Sequence, residues 1–527
     1  MIITITWLMV ATISLVLYLR QVYTKHSRAG LNHLPVVPFF GHFFWAVFKF
    51  ENFTATIARC TSAFPDDKII GHYEMTSPTF FVKDIEIMKK VTIKDFEHFV
   101  DRRGFVPESD RLFGRSLLTL KGDDWKEMRS SLSPAFTSSK IRLMVPFMVE
   151  VGEEMIKVLR KRIEVSGKGY VDLELKDLAS RYANDVIASC AFGLKVDSQS
   201  EYNDFYLKSK TVTSFNFVQL VKVLFYRCLP AVANMLGMQL ASTETINFFN
   251  HVVLSTIENR EKNNIVRHDM INLLKEVKKG NLTHEKEEDT DAGFATVEES
   301  NVGKKKYNKE WTDDDLVAQA VIFLFAGFDT VSTAMMFIIY ELAGRPDVQD
   351  KLVKEIKEHD AKNDGKFDFN SIQSMKYLDM VVSEGLRKYP PAPLLDRTCV
   401  KDYNFGRVNK TSNKDLIVRK GEVIAFPIWI FHRDPELFPD PEKFDPERFS
   451  DENKHNIQPF SYMPFGLGPR NCIGSRFALC EVKVMLYQLF REMEVIPCEK
   501  TQFPTVLAPG LIMGIKNGAW VRLRVRQ

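Results

Sequence analysis

Apolar and polar positions along this chain of 527 residues recur mainly with the period of an α-helix. Three long segments follow that period: residues 144–165, 173–192 and 312–342. Short strand-like runs lie elsewhere in the chain: residues 68–72, 80–83, 422–425 and 519–525. Because helix outweighs strand, the pattern predicts a mainly α fold with a smaller β region, an α+β architecture.

The amino terminus carries no charged side chain from residue 2 to residue 19, and Arg20, Lys25 and Arg28 follow at once. An apolar stretch of that length just spans a bilayer as a helix, and positive charge after it favours a cytosolic location for the rest of the chain. We predict a signal anchor over residues 1–30, a globular domain over residues 31–527, and a stiff hinge at residues 34–42, which hold two prolines and a glycine. The alternative is a cleaved signal peptide, which the missing basic leader and small-x-small cleavage site disfavour.

Composition and charge narrow the class of protein only a little. The chain is 45% hydrophobic and 26% charged, with a net charge of +3, so bulk charge argues neither for nor against a nucleic-acid partner. Seven cysteines without a CxxC pair do not form a disulfide framework and fit a reducing compartment. The few scattered histidines show no spacing of the zinc type.

Two stretches stand apart from the regular pattern. Residues 284–310 are charged, aperiodic and poor in apolar residues, which predicts a mobile surface loop. The loop ends where Thr312 and Asp315 form a predicted capping box for the helix that follows. Phe215 to Leu229 form an apolar cluster that is read either as a core helix or as an element dipping into the membrane near a substrate entrance.

The candidate chemistry centres on Cys472, within "PFGLGPRNCIGSRFAL". Gly466 and Gly468 permit close backbone approach, and a helical pattern begins just after Gly474. A cysteine at a helix amino terminus is favoured as a thiolate, and backbone N–H groups aimed at its sulfur would temper its electron donation. Phe465 is placed to cover the sulfur from solvent.

No partner for a zinc site or for a cysteine protease lies near Cys472, because its nearest candidate, Cys480, falls along the following helix. A lone thiolate suits haem iron, which takes four ligands from its own macrocycle. The ten residues from Phe465 to Gly474 match FxxGxRxCxG and resemble the haem-thiolate monooxygenases, the cytochromes P-450.

Further motifs of that family occur in the family's order and extend the resemblance over almost the whole chain. They are AGxDT at residues 326–330, ExxR at 384–387, PERF at 446–449 and WxxxR at 125–129. Residues 132–140 and 431–449 are most similar to animal microsomal enzymes, in particular insect enzymes that attack foreign compounds. The resemblance implies the cytochrome P-450 fold with an N-terminal transmembrane anchor helix, a haem b cofactor (iron protoporphyrin IX) and a catalytic domain over residues 31–527.

The resemblance also assigns roles to individual residues. Cys472 would be the axial ligand of the iron, and Trp125 with Arg129, one helical turn apart, would hold the haem propionates together with Arg397, Arg470 and, as a weaker match, Arg102. Glu384, Arg387 and Arg448 would form a buried structural triad that fixes the cysteine loop, and the loss of one partner would strand a buried charge.

The central helix carries the expected catalytic pair. Gly327 in its interior costs ~1 kcal/mol relative to alanine, which suggests that it opens a notch above a flat ring. Thr330 would bend the helix by bonding back to the backbone and hold water, and Asp329 would deliver protons for cleavage of the O–O bond. A pocket for lipophilic substrates is expected from apolar residues near this helix and near two later segments: Phe325, Ala326, Phe328, Ala392, Leu394, Leu395 and Leu511.

The implied reaction inserts one atom of dioxygen into a lipophilic small molecule, with xenobiotics such as plant allelochemicals or insecticides as expected substrates. Electrons would come from NADPH through the membrane-bound flavoprotein NADPH-cytochrome P-450 reductase, and cytochrome b5 is a further candidate donor. The protein would lie in the endoplasmic reticulum (microsomal) membrane with its catalytic domain in the cytosol. Four cations are expected on the docking face: Lys126, Lys140, Arg476 and Lys483.

The alternatives differ in the chemistry that they require. A haem-thiolate isomerase or dehydratase would act on a peroxide without a reductase, and the intact Asp329–Thr330 pair argues against it. A hydroxylase of endogenous hormones or lipids stays open. A haem sensor or carrier would not need the dioxygen-cleaving hydroxyl, and a membrane structural protein would leave Gly327 unexplained.

Overall fold

The structure is a computed structural model that describes residues 2–213, 217–279, 293–300, 302, 311–410 and 412–526. The α-helices within these ranges are α1 (Ile2–Tyr23), α2 (Lys25–Arg28), α3 (Phe44–Val47), α4 (Phe53–Ser62), α5 (Ile85–Lys89), α6 (Gly122–Leu132), α7 (Ser138–Arg142), α8 (Val145–Ser166), α9 (Leu175–Ile187), α10 (Asp204–Thr213), α11 (Phe217–Cys228), α12 (Pro230–Met235), α13 (Thr243–Lys262), α14 (Met270–Lys278), α15 (Asp313–Ala343), α16 (Pro346–Asn363), α17 (Phe369–Ser374), α18 (Lys376–Lys388), α19 (Ile428–Phe431) and α20 (Ser475–Glu492). The strands are β1 (Ile69–Glu74), β2 (Ser77–Val82), β3 (Tyr170–Glu174), β4 (Leu395–Thr398), β5 (Tyr403–Asn404), β6 (Ile417–Val418), β7 (Val423–Phe426), β8 (Met493–Ile496) and β9 (Trp520–Val525).

These elements confirm the mainly α architecture with a smaller β region. The three predicted long helices correspond to α8, α9 and α15, with a π-helical turn continuing α9 to Phe192. The four predicted strand runs correspond to β1, β2, β7 and β9. The strands form one sheet of order β1-β2-β7-β4, a second of order β3-β9-β8, and a two-stranded sheet of β5 and β6. Within the first sheet β2 and β7 are parallel, and the other neighbours are antiparallel.

Helix α15 is the centre of the core and packs against α9, α13, α18 and α20. It begins at the predicted capping box, in which the Thr312 side chain accepts from the backbone N–H of Asp315 and the Asp315 side chain accepts from the backbone N–H of Thr312. Three aspartates in its first turn complement the helix dipole. The helix ends at Gly344, before the proline that begins α16.

Gly327 lets α15 and α9 approach closely. A Cβ at this position would lie 2.5 Å from Cδ1 of Ile187 in α9. The missing side chain therefore faces the neighbouring helix, and the expectation that Gly327 opens a notch above a flat ring is wrong. A side chain here would push the two most heavily packed helices apart, which explains why the cost of glycine inside a helix is tolerated.

Two helices in the described part of the chain are long and apolar enough to cross a membrane, α1 and α15. α15 is mostly buried in the core, whereas α1 is exposed over residues 3–18 near the amino terminus, as the predicted anchor requires. The segment after α1 is not a free hinge, because His26, Leu31 and His42 are buried and His42 donates its backbone N–H to the carbonyl of Tyr73 in β1. The prediction of a hinge at residues 34–42 is therefore wrong.

Glu481 in α20 is fully buried, and neither of its carboxylate oxygens has a hydrogen-bond partner among the described residues. Burial raises the pKa of this carboxyl well above its ordinary value of 4.5. The folded protein therefore keeps this proton at pH values at which the unfolded chain has released it. The stability contributed by the buried neutral carboxyl is complete below about pH 4.5 and is lost as pH rises through the raised pKa of the folded state.

We expect Glu481→Gln to stabilise the protein increasingly with pH, because glutamine has the same shape and does not titrate. The free energy of unfolding of the variant should rise relative to the parent as pH increases above about 4.5, by at most about 1.4 kcal/mol per pH unit, the slope for one proton. Chemical denaturation at several pH values measures the difference. The exposed Glu499→Gln is the control, and a pH-independent difference for Glu481→Gln would contradict a buried neutral acid.

Candidate active site

The segment before α20 forms a tight loop around Cys472. Gly466 and Gly468 adopt positive φ angles of 77° and 69°, and a Cβ at Gly468 would lie 1.9 Å from the carbonyl oxygen of Thr92. The backbone N–H of Cys472 donates to the carbonyl of Phe465 at 2.9 Å. Cys472 has an exposed side chain, whereas the other six cysteines are buried or half-buried.

Cys472 borders an interior space within the core. Asn471 and Ser475 on either side of its loop are buried. On α15, Ala326 and Thr330 are likewise exposed, although the helix is buried on both sides of them, at residues 315–322 and 331–343. Exposed surface inside a packed core marks a gap large enough for a group that the chain itself does not supply.

The surroundings of the Cys472 sulfur act on its proton in opposite directions. Burial raises the pKa of the thiol, while a hydrogen bond from the backbone of Gly474 and the positive charges of Arg129 and Arg102 lower it. The backbone N–H is the kind of group that the sequence predicted beside a thiolate, and the two arginines add positive charge to it. A metal cation in the adjoining space would add the charge needed to keep the thiolate deprotonated.

Three of the four predicted propionate-binding arginines converge on one edge of this space. Arg102 donates to the carbonyl of Arg470 at 2.7 Å, and Arg397 donates to the carbonyl of Leu467 at 3.2 Å. The guanidinium of Arg470 lies 3.9 Å from the ring centroid of Trp125. Burial lowers the pKa of Arg102, Arg397 and Arg470, and the pKa of Arg397 falls to about 9.

This cluster has more positive charge and more donors than its own acceptors satisfy. The Nε atoms of Arg102 and Arg397 are buried without a hydrogen-bond partner in the described chain. The carboxylate of Asp101 lies 3.9 Å from Arg470, which is too far for a hydrogen bond. Buried charges require compensation. Two carboxylates of a flat group inserted beside Cys472 would supply it, so the residues present fit a haem with its two propionates.

Arg129 is held differently from these three arginines. Its Nε and Nη2 donate to the carboxylate of Glu299 at 3.1 and 2.6 Å, and its Nη1 and Nη2 donate to the carbonyl and Oδ1 of Asn471 at 2.9 and 2.8 Å. All of its nitrogens are thus engaged within the chain, and no pattern in the sequence indicates Glu299 as its partner. Arg129 connects α6 directly to the residue before Cys472.

Glu299 belongs to the stretch predicted as a mobile surface loop, of which residues 293–300 and 302 are described and the rest lies outside the described residues. The described part packs against the cysteine side of the domain. The ring of Phe294 lies 5.2 and 5.6 Å from those of Phe449 and Tyr462, and the carbonyl of Glu298 accepts from Asn471 at 3.0 Å. The described part of this stretch therefore makes specific contacts with the domain, and the mobility of the loop stays a prediction.

The predicted catalytic pair lies on α15 beside the interior space. The hydroxyl of Thr330 donates to the carbonyl of Ala326 at 2.5 Å, which is the predicted back-bond to the helix. Oδ1 of Asp329 accepts from Nζ of Lys176 at 2.9 Å. Lys176, on α9, also donates to the hydroxyls of Ser332 and Thr333, and the sequence did not single it out.

A cavity of about 500 Å³ opens from Thr330 toward α11 and β1. It is lined mainly by apolar side chains, among them the predicted Phe325, Leu394, Leu395 and Leu511. Three other predicted residues, Ala326, Phe328 and Ala392, are not among its lining. Phe328 is buried instead, with its ring 6.0 Å from that of Tyr206 on α10.

Glu384 and Arg387 form a fully buried ion pair with Nε–Oε2 at 2.7 Å and Nη2–Oε1 at 2.8 Å. Arg387 also donates to the carbonyl of His432 at 2.8 Å, and Glu384 accepts from the backbone N–H of Asp445 at 2.8 Å. Arg448 is a looser member, with its Nε 3.6 Å from Glu384 and no hydrogen bond between them. The ring of His432 in turn accepts the backbone N–H of Met463, just before the cysteine loop.

The four cations expected on a docking face are Lys126, Lys140, Arg476 and Lys483. Arg476 and Lys483 are buried, and Lys483 pairs with Asp379 at 2.8 Å. Lys126 is paired with Glu97 at 2.8 Å. The prediction of a docking role is therefore wrong for Arg476 and Lys483, because both serve the interior of the domain.

Comparison with known proteins places these features in a family. A family model described as cytochrome P450 matches residues 32–521. Cytochrome P450 9e2 of Blattella germanica is 40% identical over 515 residues, which cover 95% of this chain and 93% of the relative. Probable cytochrome P450 9f2 of Drosophila melanogaster is 40% identical over 470 residues, 86% of each chain, and probable cytochrome P450 6a13 of the same species is 36% identical over 520 residues, 98% of each.

Proposed function

We propose, because this chain belongs to the cytochrome P450 family and is a monooxygenase of that family, that it oxidises lipophilic foreign compounds such as plant allelochemicals or insecticides. The observation that carries the proposal is the cavity of about 500 Å³, whose lining is mainly apolar and which ends at Thr330. Such a cavity holds a drug-sized molecule by apolar burial and places one end of it beside the catalytic pair.

The residues around the interior space would hold the cofactor as follows. Cys472 would supply the thiolate ligand, the N–H of Gly474 would temper the sulfur, and Phe465 would shield it. Arg102, Arg397 and Arg470 would bind the propionates, with Trp125 supporting Arg470. The haem, when bound, supplies the binding and reductive activation of dioxygen.

Asp329 and Thr330 would manage protons and water at the end of the cavity. Lys176 holds the carboxylate of Asp329 on the α9 side of α15, so release of this ion pair would let the carboxylate carry a proton inward. The hydroxyl of Thr330, fixed by its bond to Ala326, would order the water that receives it. Asp329 would thus supply the proton, and Thr330 would position the water that accepts it.

We expect Asp329→Asn to lower the turnover number by about 100-fold, because the side chain then delivers no proton. Thr330→Val should instead keep NADPH consumption while diverting reducing equivalents into hydrogen peroxide, because water is no longer ordered. Product, NADPH and peroxide are quantified together in a reconstituted system. Ser332→Ala, which alters the other side of the Lys176 site, should change the ratio of peroxide to product little, and an unchanged ratio in Thr330→Val would contradict the assigned role.

We further propose that the protein lies on the endoplasmic reticulum membrane, held by α1, with the cavity fed from the lipid. Large apolar side chains are exposed near the mouth of the cavity: Phe39, Trp45, Phe48, Phe50, Val218, Val221, Leu229, Met235 and Leu236. Patches of this size mark contact with lipid or protein. In α11, Val223 and Tyr226 are buried, while Val218 and Val221 are exposed. The helix therefore combines a face that packs on the core with a face suited to lipid. Phe215 of the predicted cluster lies outside the described residues.

Electrons would come from NADPH through the flavoprotein NADPH-cytochrome P450 reductase, with cytochrome b5 as a second candidate donor. The test is oxidation of a panel of insecticides and plant compounds by purified protein in lipid vesicles with and without reductase. The proposal expects products only when both NADPH and reductase are present. Reductase-independent conversion of a peroxide would favour a haem-thiolate isomerase or dehydratase, and oxidation confined to endogenous hormones or lipids would favour a hydroxylase of those compounds.

A further inference from the structure

Two extended segments, residues 101–103 and 396–398, lie side by side at the edge of the interior space. They pair in antiparallel fashion through an isolated bridge between their outer residues. Arg102 therefore lies opposite Arg397, and both side chains turn to the cysteine loop, where each donates to a backbone carbonyl. Successive side chains in extended backbone point to opposite faces, so the neighbours of these two arginines must face the other way.

Two of those neighbours, Arg103 and Asp396, line the substrate cavity, and Arg102 reaches its lining as well. Nε of Arg103 lies 4.0 Å from Oδ2 of Asp396. The same pair of segments thus supplies cations to the cofactor edge on one face and a charged pair to the cavity on the other. A polar patch on the wall of an otherwise apolar cavity fixes the orientation of what binds there.

Glu74, at the end of β1, joins this patch to the α11 side of the cavity. Its carboxylate accepts from Arg103 and, at 3.0 Å, from Nη1 of Arg227 on α11. Only 3% of the Glu74 side chain is exposed. One buried carboxylate therefore serves two guanidinium groups from opposite walls.

Donors outnumber acceptors in this group. Nε and Nη1 of Arg103 and Nε of Arg227 are buried and have no hydrogen-bond partner among the described residues. Burial and, to a smaller extent, the charge of Arg227 together lower the pKa of Arg103 to about 9. The unmet need at this end of the cavity is for a hydrogen-bond acceptor, and a carboxylate meets it best because it offers two charged oxygens to a guanidinium fork.

We propose that Arg103 and Arg227 form an anchoring subsite for a carboxylate group at one end of a lipophilic substrate. The proposal rests on the proposed function, whose cavity it divides into a polar end and an apolar body. The ligand carboxylate shares the two arginines with Glu74, and the apolar part extends past Phe325 and Leu394 toward Thr330. The carbon that reacts is then remote from the carboxylate, which makes these two arginines determinants of regioselectivity.

The test is ligand binding to the haem-loaded full-length protein. Binding is measured through the optical shift of the haem on ligand entry and, independently, by calorimetry. The probes are dodecanoate, methyl dodecanoate and dodecyltrimethylammonium, which share one chain and differ in the charge of the head group. The proposal expects the parent to bind dodecanoate at least 10-fold more tightly than dodecyltrimethylammonium. Arg103→Met and Arg227→Met should each weaken dodecanoate at least 10-fold and leave dodecyltrimethylammonium within about 2-fold.

Lys222→Met is the matched control, because this lysine lies on the same helix as Arg227 and donates to the backbone of Gln239, and it should leave all three dissociation constants unchanged. Arg227→Lys should restore part of the dodecanoate affinity, and Arg227→Met still tests the subsite if Arg103→Met does not load haem. Equal affinity of the parent for the two charged probes, or an equal loss of both in the methionine variants, overturns the subsite. Binding needs neither NADPH nor reductase, so a failure of the proposed function would appear as absent oxidation with this binding pattern intact.

Discussion

Cys472→Ser is expected to abolish the red-shifted absorption band that the reduced protein shows with carbon monoxide, and monooxygenase activity with it. The sulfur is placed by a hydrogen bond between its own backbone N–H and Phe465, and by two glycines whose positive φ angles close the loop. A serine hydroxyl fits the same position but does not ionise under these conditions. The loss therefore reports on the ligand and not on the loop.

The measurement is the difference spectrum of parent and variant at equal protein concentration, with haem content determined separately. Cys498→Ser serves as control, since Cys498 is half-buried in a loop far along the chain and its replacement should leave the band intact. If the parent lacks the band, or if Cys472→Ser retains it, another residue ligates the iron and the assignment of the site fails.

Glu384→Ala is expected to destabilise the protein by about 3–5 kcal/mol and to prevent stable haem incorporation. The carboxylate is fully buried and is the only acidic partner within bonding distance of Arg387 in the described chain. Removing it leaves a buried guanidinium bound only to backbone carbonyls. Those carbonyls, including that of His432, lie on the path that leads to Met463 and the cysteine loop, so the damage should reach the haem.

Two further variants show whether the loss of stability is specific to the buried ion pair. Arg448→Ala should cost clearly less than Glu384→Ala, because Arg448 approaches the carboxylate only to 3.6 Å and is partly exposed. Glu447→Gln, which removes an exposed ion pair to Lys351, should cost under about 1 kcal/mol. Denaturation curves and haem retention after gel filtration measure the series, and a Glu384→Ala protein as stable as Glu447→Gln would refute a structural role for the pair.

The sequence sufficed for the parts of this fold in which local pattern and packing agree. Long amphipathic or apolar runs gave α8, α9 and α15 within two residues at each amino terminus, because helical period and capping are encoded locally. The cysteine loop was likewise predictable from the sequence. Its glycines at positive φ and the start of the following helix stand at fixed distances from the cysteine along the chain. The pairing of Glu384 with Arg387 followed from their separation of one helical turn.

The misses share a physical origin, which is contact between residues far apart in the chain. Gly327 is small because of Ile187, and Arg129 is neutralised by Glu299, partners that no local spacing reveals. Lys483 is predicted as a surface cation, but in the structure it is buried beside Asp379. The sequence does not indicate whether a charged side chain is buried, so the role of that side chain is decided by the tertiary structure.

The packing of α2 beneath the first sheet sets the direction in which α1 leaves the folded domain. His26 fills the space over Gly71, where a Cβ would come within 2.5 Å of its ring, and Tyr23 at the end of α1 donates to the carbonyl of Met75. Helix α1 is therefore joined to the domain through packed side chains and not through a free linker. In the proposed membrane-bound state, the folded domain would set the tilt and the depth of insertion. The compounds that reach the cavity would then be selected first by the depth at which they partition between the headgroups and tails of the lipid leaflet.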